Sequence, residues 1–228
     1  KKEKYAFAYK ELSEKLGMKK IERIDAFDIS HQYMQQGVGS CVVFAESGAS
    51  KKDYRLFNIP NDIAGNDIAS IEHVISRRLK YYEDQKPDLI LIDGGKAQLN
   101  FTNKILKDFG MDNILVLGIA KGKGRIRATE TIYSNIGVLE IDAHSESFKL
   151  LNELRDESHR FAITASRKRI RKTNKYSALD SVKGIGPITK KALLKKFKSL
   201  KAIKEASKED LMTIKNINET MASEIKQI

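Results

Sequence analysis

Two apolar segments that carry an aspartate near their ends constrain this chain more than any other feature. They are residues 24–29 (Ile-Asp-Ala-Phe-Asp-Ile) and residues 89–93 (Leu-Ile-Leu-Ile-Asp). Short apolar runs bounded by polar residues or glycine are typical of β-strands. Burying a carboxylate in a strand costs free energy unless a cation or a hydrogen-bonding partner meets it. Asp28 and Asp93 could meet at one edge of a sheet and hold a divalent metal, so they are the candidate reaction centre.

The order of the other predicted elements indicates an α/β fold. Three strands joined by short turns in residues 22–59 predict an antiparallel meander. The strand at residues 89–92 is apolar on both faces, as a central strand covered by helices would be. The further predicted elements are helices at 66–82, 98–109 and 145–169, a strand at 114–120 and a hairpin turning at 135–137. Alternation of strands and helices implies a parallel part, so we predict a mixed sheet flanked by helices.

Charge divides the chain into a neutral body and a basic tail. The whole sequence has a formal net charge of +12, and residues 160–228 account for it with 18 Lys and Arg against 6 Asp and Glu. This pattern indicates a polyanionic partner but does not distinguish DNA from RNA or an acidic membrane surface. No apolar run approaches the ~20 residues of a membrane span. The single cysteine, Cys41, excludes an internal disulfide and is consistent with a reducing cytosol.

Composition divides the chain into four predicted parts. These are a lead-in helix at residues 1–20, an α/β domain at 21–165, a basic linker at 166–176 and a small all-α domain at 177–228. The linker is either a solvated charge run or a tether that contacts DNA.

A short motif occurs twice in the tail. Residues 182–186 are Val-Lys-Gly-Ile-Gly, and residues 214–218 are Ile-Lys-Asn-Ile-Asn. Gly184 and Gly186 permit close approach of a phosphate to backbone N–H groups at the start of the next helix, which carries Lys190 and Lys191. Two such hairpins back to back would straddle a duplex minor groove through its phosphates, without specifying a sequence.

Several further residues have two interpretations each. His159, on or beside the packed face of the helix at 145–169, is either a hydrogen-bonded structural residue or a functional one, and the neighbouring Arg160 favours a role near phosphate. Asp67, in the first turn of the helix at 66–82, either offsets the helix dipole or supports the metal edge. Lys96 either steadies phosphate or simply begins a helix. His31, directly after the first strand, is a weaker candidate.

Three separated motifs resemble the signatures of a known family. Residues 27–31 (Phe-Asp-Ile-Ser-His), 92–98 (Ile-Asp-Gly-Gly-Lys-Ala-Gln) and 155–160 (Arg-Asp-Glu-Ser-His-Arg) are similar in order and spacing to the C-terminal half of the UvrC excinucleases, the nucleases of nucleotide excision repair. The tail is similar to that family's tandem helix-hairpin-helix module. The resemblance therefore covers nearly the whole chain.

This resemblance implies an RNase H-like endonuclease domain that cuts the damaged strand on the 5′ side of a lesion. It implies that Asp28, Asp93 and His159 form the catalytic set around Mg²⁺ or Mn²⁺, and that Asp67 is another acidic position tied to activity. It further implies a cytoplasmic bacterial protein. The implied partners are damaged double-stranded DNA and the damage-loading helicase UvrB, the latter through regions largely outside these residues.

The tail departs from the family pattern at one hairpin. Asn216 and Asn218 stand where glycines of the motif are expected. Asn tolerates positive φ better than most residues, so the turn can form. Phosphate contact is therefore expected mainly at Gly184, Gly186 and the helix after them.

Three other functions remain open at this point. A DNA-binding adaptor with an inactive body is disfavoured by the retained Asp28, Asp93 and His159. Another RNase H-like nuclease, such as a ribonuclease or junction resolvase, would usually complete its site with carboxylates, so His159 disfavours it. A nucleotide-binding enzyme using residues 93–96 would need a nucleotide fingerprint that the sequence lacks.

Overall fold

The computed structural model describes residues 2–30, 37–82, 85–121 and 130–227 of the 228-residue chain. The chain forms two compact units, Lys1–Ser166 and Arg167–Ile228. His31, which the sequence singled out, lies outside the described residues, as do the side chains at 168–176 of the predicted linker. The finer four-part division therefore stays a prediction.

One mixed β-sheet forms the centre of the first unit. The described strands are β1 Arg23–Ser30, β2 Val38–Ala45, β3 Gly48–Ala49, β4 Arg55–Asn58, β5 Leu89–Asp93, β6 Leu115–Lys121, β7 Glu130–Ser134 and β8 Gly137–Leu139. Their order in the sheet is β3-β2-β1-β5-β6-β7-β8, with β4 also paired to β2. β1 is antiparallel to β2 and parallel to β5, and β5 is parallel to β6. The predicted meander, parallel centre and hairpin are confirmed.

Helices cover both faces of this sheet. They are α1 Lys2–Lys15, α2 Asp67–Leu79, α3 Lys96–Asp108 and α4 Glu146–Asp180, the last of which continues into the second unit. Asn66 caps α2 as predicted, because its side chain accepts a hydrogen bond from the N–H of Ala69 at 3.1 Å. Within the described ranges, no helix is both long and apolar enough to cross a membrane.

The bounds of α1 to α4 all differ from their predictions, and the differences at α3 and α4 have a clear physical reason. α3 begins at Lys96 rather than at residue 98, because the Gln98 side chain accepts a hydrogen bond from the N–H of Gly95 at 3.1 Å and closes the first turn. α4 continues to Asp180 instead of ending near residue 169. The basic stretch contains no Gly or Pro, and Lys and Arg are good helix formers, so positive charge alone does not end the helix.

Each face of the sheet packs in its own hydrophobic core. Successive side chains of a strand point to opposite faces. Ile24 and Ala26 of β1 pack with residues of α1 and α4, among them Leu154. Phe27 packs on the other face with residues of α2 and α3, among them Val74. The face on which a β1 residue lies therefore decides which helices it meets.

Asp25 is fully buried on the α2 face and centres a polar network that the sequence analysis missed. Its Oδ2 accepts hydrogen bonds from Nε and Nη2 of Arg78 at 3.1 and 2.9 Å and from the hydroxyl of Tyr82 at 2.8 Å, while Oδ1 accepts one from Nε of Arg23 at 2.9 Å. Burial, reinforced by the charge of Asp25, raises the pKa of Tyr82, so its hydroxyl keeps the proton that it donates. The network joins α2 to the central strand.

The second unit is a bundle of short helices after the end of α4. Its further helices are α5 Pro187–Phe197, α6 Leu200–Glu205, α7 Lys208–Met212 and α8 Glu219–Ile225. Each copy of the repeated motif forms the turn before a helix, α5 in the first copy and α8 in the second. Among its described side chains, nine buried apolar ones form the core: Leu179, Val182, Ile185, Leu193, Ile203, Leu211, Ile217, Ala222 and Ile225. The predicted all-α tandem domain is confirmed.

Removal of the main partner of Asp25 should destabilise the first unit. We expect Arg78→Met to lower the free energy of unfolding by about 3–5 kcal/mol, because Oδ2 of the buried carboxylate loses the guanidinium that donates two hydrogen bonds to it and only Arg23 stays as a cationic partner. Urea denaturation followed by circular dichroism measures the change. The control is Lys10→Met, which breaks the exposed Lys10–Glu14 pair and should cost less than about 1 kcal/mol. Equal losses in the two variants would contradict the importance of the network.

Candidate metal centre

The pairing of β1 with β5 brings two aspartates together. Phe27 is the register partner of Ile92 in this parallel pair, so Asp28 and Asp93 follow side by side at the carboxyl ends of the strands. Alternation places both on the face that α4 covers: Asp28 lies on the same face as Ala26, and Asp93 follows Leu91 by two residues.

α4 supplies the third member of the group. Nδ1 of His159 lies 3.0 Å from Oδ2 of Asp28. Asp28, Asp93 and His159 each offer one ligand atom, and these three atoms lie within 4.8 Å of one another. Asp28 is buried, whereas Asp93 and His159 are partly exposed, so solvent reaches the group. Residues separated by up to 131 positions in sequence therefore converge, and their catalytic roles remain predictions.

These donor atoms fit a divalent cation. Carboxylate oxygens are the ligands that Mg²⁺ and Mn²⁺ prefer, and imidazole nitrogen also binds transition metals. Two carboxylates this close repel one another when both are ionised, and a cation between them compensates that charge. Asp28 and Asp93 with His159 are therefore compatible with a divalent metal site.

Three contacts hold the α4 segment around His159 against the sheet. Ser40 of β2, the register partner of Asp28, donates a hydrogen bond from Oγ to the backbone carbonyl of Ser158 at 2.9 Å. The hydroxyl of Tyr54 donates to Glu157 at 3.1 Å. Arg155 pairs with Glu130 of β7. Ser40 was not among the predicted residues, although a polar residue within the apolar run of β2 was an available signal.

Three predicted site residues lie outside the metal-ligating group. Arg160 is exposed and donates from Nε and Nη2 to Glu157 at 2.6 and 2.7 Å, a pairing that raises the pKa of Arg160 and lowers that of Glu157. A phosphate would have to share Arg160 with that carboxylate. Asp67 is exposed in the first turn of α2, and Lys96 is exposed at the start of α3. The roles of these three residues stay predictions.

The predicted phosphate-binding residues of the tail occupy different environments. Gly184 has a φ of 89°, and Gly186 is the N-cap of α5. Lys191 is exposed, but Lys190 is 8% exposed and its ammonium pairs with Asp180. This placement favours Lys191 over Lys190 as a contact for an external phosphate. Lys190 and Lys191 differ in exposure because only Lys190 packs beside Asp180. That tertiary contact cannot be predicted from two adjacent lysines in a sequence.

The first unit has the features of the class of RNase H-like nucleases. An antiparallel meander is followed by parallel strands, and two carboxylates and an imidazole meet at the carboxyl ends of the central strands β1 and β5. Residues 13–163 match the family described as the UvrC RNase H endonuclease domain, and residues 176–227 match the SAM-like helix-hairpin-helix tandem. Because the first match spans more than half of the chain, this chain belongs to the UvrC RNase H endonuclease domain family.

The curated relatives are longer than this chain. UvrABC system protein C of Saccharophagus degradans is 39% identical over 225 residues, which cover 96% of this chain and 37% of the relative. The protein of the same name from Nitrosococcus oceani is 41% identical over 211 residues, which cover 91% and 35%. The chain therefore spans little more than a third of their length.

A solved structure also resembles the chain. The crystal structure of human ENDOV is 15% identical and covers 68% of this chain and 86% of its own, with a TM-score of 0.39. A TM-score this low does not establish a shared fold, so the fold class rests on the sheet topology and the family matches.

The hydroxyl of Ser40 should affect metal binding without touching the metal. We expect Ser40→Ala to weaken Mn²⁺ binding by about tenfold, the lower end of the effect of outer-shell partners, because the segment carrying His159 loses its bond to β2. Isothermal titration calorimetry measures the affinity. Ser158→Ala is the control, because it removes a buried hydroxyl whose hydrogen bond stays inside α4. Equal affinities of the two variants would contradict this positioning role.

Proposed function

We propose that this chain is a metal-dependent DNA endonuclease that makes the 5′ incision in the damaged strand during nucleotide excision repair. The convergence of Asp28, Asp93 and His159 is the observation that carries the proposal. Membership of the UvrC RNase H endonuclease domain family supports the reaction class, and the relatives named UvrABC system protein C support the repair pathway.

Phosphodiester hydrolysis requires an aligned water and neutralisation of charge at the scissile phosphate. A Mg²⁺ or Mn²⁺ ion held by Asp28, Asp93 and His159 would supply both when bound. The two strands fix the carboxylates, so little reorganisation is needed as charge develops. His159 is either the third ligand or a group that carries a proton, since imidazole titrates near neutrality.

Positive side chains near this centre can hold the DNA backbone. Lys96 is exposed only three residues after Asp93, at the beginning of α3, where the helix dipole also favours a phosphate. Arg160 follows His159 directly and can contact phosphate if it shares its guanidinium with Glu157. We assign both residues to orientation of the substrate strand.

The second unit supplies the proposed contact with duplex DNA. Helix-hairpin-helix turns hold phosphates with backbone N–H groups, which fixes position without specifying sequence. Gly184, Gly186 and Lys191 are the residues we assign to this contact. Damaged double-stranded DNA is the proposed substrate, and the UvrABC naming of the relatives supports UvrB as the proposed protein partner.

Loss of the Asp28 carboxylate should abolish strand cleavage. We expect Asp28→Asn to slow Mn²⁺-dependent nicking of lesion-containing duplex DNA by more than about 100-fold, because loss of even an outer-shell partner of a metal ligand costs 10–100-fold. Nicking is measured by gel electrophoresis and DNA binding by fluorescence anisotropy. The control is Asp108→Asn, at an exposed carboxylate at the end of α3.

The outcomes of this assay separate the open alternatives. Equal nicking by wild type and Asp28→Asn would show that the assigned centre is wrong. Binding without nicking by every variant would instead support the DNA-binding adaptor. Cleavage of an RNA strand in preference to the lesion-containing duplex would support another RNase H-like nuclease.

A further inference from the structure

The two hairpins of the second unit share one backbone geometry. In the first, the N–H of Ile185 donates to the carbonyl of Val182 at 3.3 Å, and in the second the N–H of Ile217 donates to the carbonyl of Ile214 at 3.1 Å. Gly184 has a φ of 89°, and Asn216 at the equivalent position has a φ of 71°. Asn216 therefore adopts the left-handed conformation that the turn requires, as the sequence predicted.

The side chains at the ends of the two turns differ. Gly186 is the N-cap of α5, and a Cβ added there would meet no other atom within 4 Å, so the space beside this turn is open. Asn218 is the N-cap of α8, and its Oδ1 accepts a hydrogen bond from the N–H of Met221 at 2.9 Å. The second hairpin therefore satisfies with its own side chain a donor that a phosphate would otherwise use.

The charges around the two turns also differ. Residues 183–196 contain five lysines and no acidic residue, whereas the equivalent residues 215–228 contain two lysines and two glutamates. Glu219 is the first residue of α8 and opposes the approach of an anion to the helix start. Lys226 donates from Nζ to the carbonyl of Ala206 at 2.7 Å. Positive charge supplies most of the affinity for a DNA backbone, so the second hairpin lacks the main attractive contribution.

We infer that the second hairpin does not hold backbone phosphate, and that the tail contacts duplex DNA on one side, through its first hairpin alone. The inference rests on the proposed duplex binding and narrows it to one of two equivalent turns. The second hairpin has a structural role instead: Leu211, Ile217, Ala222 and Ile225 complete the core against which the first hairpin packs.

A matched pair of substitutions tests this inference. Lys183 and Lys215 occupy equivalent positions, each exposed and each directly before the residue with positive φ. We expect Lys183→Glu to weaken binding of a 20-base-pair duplex by about tenfold and to reduce its log–log salt slope by about 1. We expect Lys215→Glu to change the affinity by less than about twofold, although the charge change is the same. Fluorescence anisotropy of the full chain from 50 to 200 mM KCl measures both quantities.

The comparison distinguishes failure of the inference from failure of the proposed function. Equal losses in affinity and slope would show that both hairpins contact the duplex, which overturns the inference and leaves duplex binding intact. A larger loss for Lys215→Glu would also overturn it. Absence of duplex binding by the wild type would refute the proposed duplex contact itself. Melting temperatures establish that both variants fold, and Lys183→Gln with Lys215→Gln repeats the comparison if either glutamate variant does not.

Discussion

The parallel pairing of β1 with β5 is the interaction on which the candidate centre depends. It places Asp28 and Asp93 next to each other and on the same face. A slip of one residue would send one of the two carboxylates to the opposite face, because side chains alternate with a period of two. His159 on α4 could then meet only one of them. The chemistry of the centre therefore requires a single register of a buried strand pair.

Asp25 gives a physical reason for that register. In the observed pairing its carboxylate lies on the α2 face, where Arg78, Tyr82 and Arg23 all donate to it. A one-residue shift of β1 would remove Asp25 from Arg78 and Tyr82 and leave the Arg78 guanidinium buried without its carboxylate. Buried ion pairs often add little net stability, but a broken one is costly, so the network penalises the alternative register more than it stabilises the native one.

Local features of this chain were predictable from sequence and tertiary ones were not. The Asn66 cap depends on neighbouring residues only, and the strands carrying Asp28 and Asp93 follow from short apolar runs. The sequence indicates no role for Asp25, because its partners Arg78 and Tyr82 lie more than fifty residues away. The burial of Lys190 beside Asp180 likewise depends on how two helices pack. The strand pattern predicts Asp28 and Asp93 as the candidate centre and the resemblance adds His159, whereas the contacts that support the centre are visible only in the fold.

The tail shows that a recognition motif can keep its backbone shape while lacking the groups that bind its ligand. Asn216 satisfies the positive φ that the hairpin needs, so the second turn keeps its shape without the glycines. Phosphate contact has further requirements: an open approach, N–H groups that are not already capped, and positive charge. Asn218 already caps one of these N–H groups, and Glu219 places a negative charge at the start of α8. Neither residue disturbs the fold. A match to a tandem helix-hairpin-helix family therefore establishes two hairpins, while the residues of each one decide whether it can bind DNA.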